Sequence, residues 1–141
     1  MAAKTIETAQ RFINAIPHSK ALGMQIASAN EGEVKMQMPY DEKFIGDPAT
    51  RVIHGGAVFA LLDTCCGAAV MTHPSSQGST ATIDLRVDYM RPASPDQVIT
   101  ATATCYNITR TVAFVRAVAT DERTDKPVAM ASGTFVNGGG K

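Results

Sequence analysis

The chain has 141 residues, 45% of them hydrophobic and 18% charged, with 13 Lys and Arg balanced by 13 Asp and Glu. That length and composition fit one domain, residues 1–141, with enough apolar material for a core. The formal net charge of +0 lacks the basic excess of a nucleic-acid binder, and the three cysteines, Cys65, Cys66 and Cys105, form neither a disulfide framework nor a C-x-x-C motif.

Residues 5–16 carry Ile6, Ala9, Phe12, Ile13 and Ile16 at helical spacing, and Pro17 follows as a stop. Residues 1–20 thus form an N-terminal helix and linker. The stretch has no apolar run of the kind a signal peptide needs, and it carries Glu7, Gln10 and Arg11. Residues 24–30 and 33–38 read as two strands around a tight turn at Glu31-Gly32, the second alternating Val34, Met36 and Met38 against Lys35 and Gln37. Residues 39–51, with Gly46, Asp47 and Pro48, read as a loop.

Residues 54–72 form a long apolar helix, ended by the segment from His73 to Gly78. Its most apolar part, 57–71, falls short of the roughly 20 residues that span a bilayer and contains an aspartate. The chain is therefore expected in the cytoplasm. Residues 80–90 alternate, with Ile83, Leu85, Val87 and Tyr89 on one face and Thr82, Asp84, Arg86 and Asp88 on the other. Residues 97–107 and 111–121 form an antiparallel pair around Ile108-Thr109-Arg110. A last strand follows at 126–136, then a tail at 137–141 expected to fray. The sum is an α+β layout, one long helix covering an antiparallel sheet of about six strands. The strand at 111–120 is apolar on both faces, and one helix covers only one side of a sheet, so a second subunit is expected over part of the other.

On a helical wheel, 57–71 shows no polar face, and Asp63 is its only charge. A lone buried carboxylate costs several kcal/mol unless it is paired or protonated. The small residues Ala60 and Gly67 beside it leave room for another backbone or a ligand. Asp63 is then either a structural aspartate with a partner or a general base or nucleophile. Gly55 and Gly56 offer backbone N–H groups in the first turn, where the macrodipole is positive and an oxyanion is stabilised. They could equally serve a tight helix entry, and His54 could be a cap or a core residue. Gly55 and Asp63 are eight residues apart, roughly 12 Å along one helix. One carbonyl cannot touch both, so a shared substrate demands two chains with antiparallel helices, as a twofold dimer supplies.

His54-Gly55-Gly56, Leu61-Leu62-Asp63, Thr82-Ile83-Asp84-Leu85 and Asp88-Tyr89-Met90-Arg91-Pro92-Ala93, in this order, resemble the hotdog-fold thioesterases of the PaaI-like, phenylacetate-degradation family. The likeness runs from about residue 23 to 136. It implies a hotdog fold, a curved antiparallel sheet wrapped around the central helix, and a homodimer or dimer of dimers with acyl-CoA sites at the interface. It implies that the Gly55 N–H polarises the thioester carbonyl, beside His54. Asp63 would attack the carbonyl or activate water, and Thr82 would help place that water. It implies CoA contacts from Gly56, Tyr89, Met90, Arg91, Pro92, Arg110 and Thr111, where a solvated surface charge is the other reading of the two arginines. No cofactor or metal is implied, since the CoA thioester is itself the substrate, and neither nucleic acid nor membrane is an expected partner. The expected reaction is hydrolysis of an aromatic or medium-chain acyl-CoA. One departure stands out: Pro48 occupies the position, six residues before the His, where many relatives carry Asn. A non-catalytic acyl-CoA binder or sensor of the same fold is the main alternative. A dehydratase or hydratase would need a His beside its acid, and here His54 lies far from Asp63. Met36, Met38 and Phe59 could line an acyl pocket or belong to the core.

Overall fold

The computed structural model describes residues 2–123 and 125–139, with no side chains described at 2–4. Helix α1 (Ala2–Asn14) buries Ala9 and Ile13 and half-buries Phe12, one stripe of its surface. Pro17 does not simply stop it. Proline lacks the N–H that a first helical turn leaves unbonded anyway, and its φ suits the helical region. It therefore opens a short second helix, α2 (Pro17–Ala21). Strands β1 (Gln25–Asn30) and β2 (Glu33–Met38) form the expected hairpin, with Gly32 in the left-handed region at φ 77°. Val34, Met36 and Met38 are all but inaccessible, so the two methionines are core residues rather than pocket lining.

The expected loop at 39–51 holds more order than its turn residues suggested. A 3-10 turn at Glu42–Phe44 leads into β3 (Ile45–Asp47), which pairs with β4 (Val52–Ile53). The connection is tied by Asp47, whose carboxylate accepts from Ala49 N at 3.1 Å and from the Thr50 hydroxyl at 2.7 Å. These bonds, the Thr50 hydroxyl first, hold its carboxyl below the ordinary range.

Helix α3 (Gly55–Thr72) runs 18 residues, longer than the stretch read as its apolar part. By length and hydropathy it could cross a membrane, yet ten of its residues are buried inside this chain. Then come β5 (Gly78–Ser79), β6 (Thr82–Tyr89), β7 (Ile99–Ile108), β8 (Val112–Thr120), β9 (Ala129–Val136) and β10 (Gly138–Gly139). Six strands form one antiparallel sheet in the order β1-β2-β7-β8-β9-β6. Its inner face is largely alanine: Ala101, Ala103, Ala113, Ala117, Ala119, Ala129 and Ala131 are all buried. Side chains this small let α3 lie close against the strands, where Leu61 and Leu62 are fully enclosed and each contributes about 1.5–3 kcal/mol of apolar burial. Cys65, Cys66 and Cys105 are free and buried, and desolvation pushes the Cys65 thiol up to about 12.

The tail does not fray at its start. Asn137 is buried, donates from Nδ2 to Ser75 O at 3.1 Å and Thr109 O at 2.9 Å, and accepts from Gln77 N at 2.8 Å. Gly138 and Gly139 then pair with Ser79 and Gly78; residues 140–141 lie outside the described chain. On the outer face of the sheet, Phe114 and Val118 of β8 are half-buried, and the Arg116 guanidinium stacks 4.8 Å from the Tyr106 ring centre.

Candidate active site

Asp63 is half-buried on α3, and its Oδ1 accepts a 2.7 Å hydrogen bond from the Thr82 hydroxyl. Strict alternation would put Thr82 on the outer face with Asp84, Arg86 and Asp88. The register breaks instead: Thr82 faces Phe135, whereas Asp84 faces Thr134, leaving Ile83 as an extra residue. This β-bulge turns Thr82 inward to the helix. Gly133 permits it, because a Cβ there would strike the Asp84 carbonyl. Alternation therefore placed Thr82 on the wrong face, while the chemistry suggested for it needs the inner one. The room expected beside Asp63 at Gly67 is already filled: a Cβ at Gly67 would lie 3.1 Å from Phe12 Cζ of α1. Nor is α3 covered all round. Phe59 is 37% exposed and Gly56 exposed, so the side bearing Asp63 is open in a single chain.

The helix start is built from three tight contacts. His54 is the N-cap, and its Nδ1 accepts from Gly56 N at 2.8 Å. In the neutral imidazole that bond leaves the ring proton on Nε2. A Cβ on Gly56 would sit 2.9 Å from the same Nδ1, and one on Gly46 only 2.8 Å from His54 Cα. His54 N donates to Phe44 O at 2.7 Å, anchoring the cap to the 3-10 turn. Gly55, as the first helical residue, has an N–H with no intrahelical acceptor. The Tyr89 hydroxyl donates to Gly55 O at 2.7 Å.

Tyr89, Met90, Arg91, Pro92 and Ala93 line a cleft of about 350 Å³ together with Gly55, Val52, Ile53, Val58 and Val128. Arg91 is neither a solvated charge nor a free anion binder. Its guanidinium pairs bidentately with Asp121, Nη1 to Oδ2 and Nη2 to Oδ1 both at 2.7 Å, and donates also to the carbonyls of Pro92, Arg123 and Lys126. Asp121 accepts further from Ser94 N and Arg123 N, and the Arg91 guanidinium holds its carboxyl well below the usual carboxylate range. With its donors so engaged, Arg91 braces the loops at this corner, and the expected CoA contact from its guanidinium has no donor to spare. Nothing local in the sequence marked Asp121 as its partner, 30 positions away.

Arg110 and Thr111 are exposed at the β7–β8 tip, which Asn137 ties through Thr109 O. Ala113 of β8 and Thr82 of β6 both face Phe135 of β9, so this tip lies at the Thr82 end of the sheet. The site residues thus fall into two groups. Asp63, Thr82, Arg110 and Thr111 gather at one end of β6; His54, Gly55, Gly56, Tyr89, Met90, Arg91 and Pro92 gather at the other. Among the described residues no cluster of His, Cys, Asp or Glu could hold a metal ion.

An antiparallel sheet of this order wrapped on one long helix is a hotdog fold, with the architecture of a thioester hydrolase. The thioesterase superfamily model matches residues 51–128, more than half the chain and nearly all of the site. The medium/long-chain acyl-CoA thioesterase YigI of Escherichia coli is 26% identical over 92% of this chain and 90% of its own length. A crystal structure of a Pseudomonas aeruginosa protein superposes with TM-score 0.84 at 36% identity, covering 94% of this chain and 98% of that one. The PaaI protein from the phenylacetic acid degradation operon of Escherichia coli superposes with TM-score 0.86 at 23% identity, over 99% and 97% of the two chains, a likeness of fold. The chain belongs to the thioesterase superfamily.

Proposed function

We propose that this chain hydrolyses an aromatic or medium-chain acyl-CoA to the free acid and CoA, in the cytoplasm, as a homodimer or a dimer of dimers. The observation that carries this reading is the division of the site. Asp63 with Thr82 and Gly55 with Tyr89 occupy opposite ends of β6 and sit eight residues apart on one helix. Each group is half of a thioesterase site. A second copy with its α3 antiparallel would bring its Gly55 N–H opposite this Asp63.

In that composite site the Gly55 N–H polarises the thioester carbonyl and receives the developing oxyanion. Thr82 holds Asp63 Oδ1, leaving Oδ2 to act. Oδ2 either takes the proton of a water that attacks the carbonyl carbon, or attacks that carbon itself to give an anhydride that water then opens. The C–S bond breaks in either case, and the CoA thiolate leaves and is protonated. YigI bears the name of a medium/long-chain enzyme, which favours an aliphatic acyl group of that size. Pro48 favours the second reading, a binder without turnover. It offers no side-chain donor where relatives often have Asn, and neighbouring Asp47 is committed to its own turn.

The test is CoA thiol release from a panel of aryl and C6–C12 acyl-CoAs, chain lengths of roughly the medium class. Turnover is expected, and Asp63→Asn is expected to lower kcat by about 10²–10⁴-fold while ligand still binds. Unchanged turnover in Asp63→Ala sinks the assignment. Binding with no release from any thioester turns the reading to the binder. Full activity from a monomer, shown by sedimentation at assay concentration, removes the shared site.

A further inference from the structure

We infer that Tyr89 is a positioning residue that restrains the Gly55 backbone, and with it the Gly55 N–H, through its hydroxyl on the Gly55 carbonyl in the following peptide and its ring against the Gly55 Cα. This rests on the oxyanion role proposed above for Gly55 and adds to it the part of the fold that aims it.

Two adjacent glycines leave the backbone freer than any other pair of residues, at the place where a donor has to be held within a few tenths of an ångström. The peptides on both sides of Gly55 are pinned. On the N-terminal side, His54 O accepts from Ala57 N at 3.0 Å, and His54 N donates to Phe44 O at 2.7 Å. On the C-terminal side, the Gly56 N–H is taken by His54 Nδ1 at 2.8 Å, and the Gly55 carbonyl accepts the Tyr89 hydroxyl at 2.7 Å. A Cβ on Gly55 would lie 3.3 Å from Tyr89 Cε1 and 3.4 Å from Cζ, so the ring also packs where a side chain would have stood. The Gly55 N–H, in the first turn, has no intrahelical acceptor. The Tyr89 phenol, protonated at neutral pH in its ordinary range and raised further by desolvation, is a donor there.

Tyr89 is itself held. Met90 N donates to Val128 O at 2.8 Å, and Arg91 is locked onto Asp121. The buried ion pair fixes the segment, the segment fixes the phenol, and the phenol fixes the Gly55–Gly56 peptide, which follows the one that carries the donor. His54 Nδ1 does the same from the other side. His54, expected beside the donor or as a cap, thus holds Gly56, and Tyr89 becomes more than a wall of the cleft.

Tyr89→Phe keeps the ring and removes only the hydroxyl. Steady-state kinetics on the best acyl-CoA of the panel should show kcat lower by about tenfold or more, with KM within about twofold. The backbone order parameter of the Gly55 amide, from ¹⁵N relaxation of the intact protein, should fall from the rigid range near ~0.85 toward ~0.6. An unchanged kcat, or an unchanged Gly55 order parameter, overturns the inference. Loss of kcat with an equal loss in melting temperature and general loosening of α3 also overturns it, since that is the mark of a structural residue. If the wild-type protein releases no CoA at all, the hydrolase reading falls, whereas the order parameter still decides whether Tyr89 holds Gly55.

Discussion

The two ends of β6 are held in different ways. At the Tyr89 end, Arg91 satisfies its guanidinium on Asp121 and three carbonyls, the Asp121 side chain is fully enclosed, and the phenol closes on the helix start. At the Thr82 end, one side-chain hydrogen bond joins Thr82 to Asp63, the strand bulges, and Ile83 is 56% exposed. Polar anchoring is thus denser behind the Gly55 N–H, the donor proposed for the oxyanion, which would have to be oriented before substrate arrives. The Asp63 carboxylate is left on a partly open face of the single chain, the face on which the proposed second subunit would sit.

The contrast can be broken most severely at Arg91. Arg91→Ala leaves Asp121 charged, buried and unpaired, and should cost about 3–5 kcal/mol in chemical denaturation. The same pair carries a pH signature. The Asp121 carboxyl titrates lower in the folded chain than unfolded, so its stabilisation is full above about pH 4, the unfolded value. It is lost as pH falls from there toward the lower folded value. Asp121→Asn should therefore lower stability at neutral pH and flatten the acid limb; a limb as steep as wild type would show that other carboxyls dominate it.

A smaller effect is expected at Gly133. An added Cβ would strike the Asp84 carbonyl and come within 2.9 Å of Leu85 Cδ1. Gly133→Ala should cost about 1–3 kcal/mol and should also lower kcat by moving the bulge that delivers Thr82. Stability loss with full activity would separate the bulge from the site. The finest test is Thr82→Val, which removes one donor and keeps the shape. The kcat should fall about tenfold, equivalent to ~1.4 kcal/mol, with the melting temperature little changed. A variant as fast as wild type would show that Asp63 needs no hold at that end.

The sequence disclosed what depends on local period. The alternation of Val34, Met36 and Met38 located β2 and its buried face, and the unbroken apolar wheel with one aspartate located α3. His54-Gly55-Gly56 marked the helix start, where His54 proved to be the cap. Features that depend on distant residues were not visible. Nothing near Thr82 announces the bulge, because its cause is the missing side chain of Gly133, across the sheet. Nothing near Arg91 names Asp121. Asn137 looked like the start of a loose tail, since its three side-chain hydrogen bonds reach back to Ser75, Gln77 and Thr109. The small β3–β4 ribbon was hidden by its turn residues, because Asp47 and Gly46 serve a tight connection as readily as a loop.

The enclosure of the three thiols has a practical consequence. Cys65 shares its hydrogen with the Val34 and Ala101 carbonyls, and burial keeps all three sulfurs protonated. A thiol-reactive dye should consequently ignore the native protein and colour only with liberated CoA. On denaturation the same dye would find three new targets per chain. One reagent could therefore follow turnover and global opening in the same cuvette, distinguished by stoichiometry.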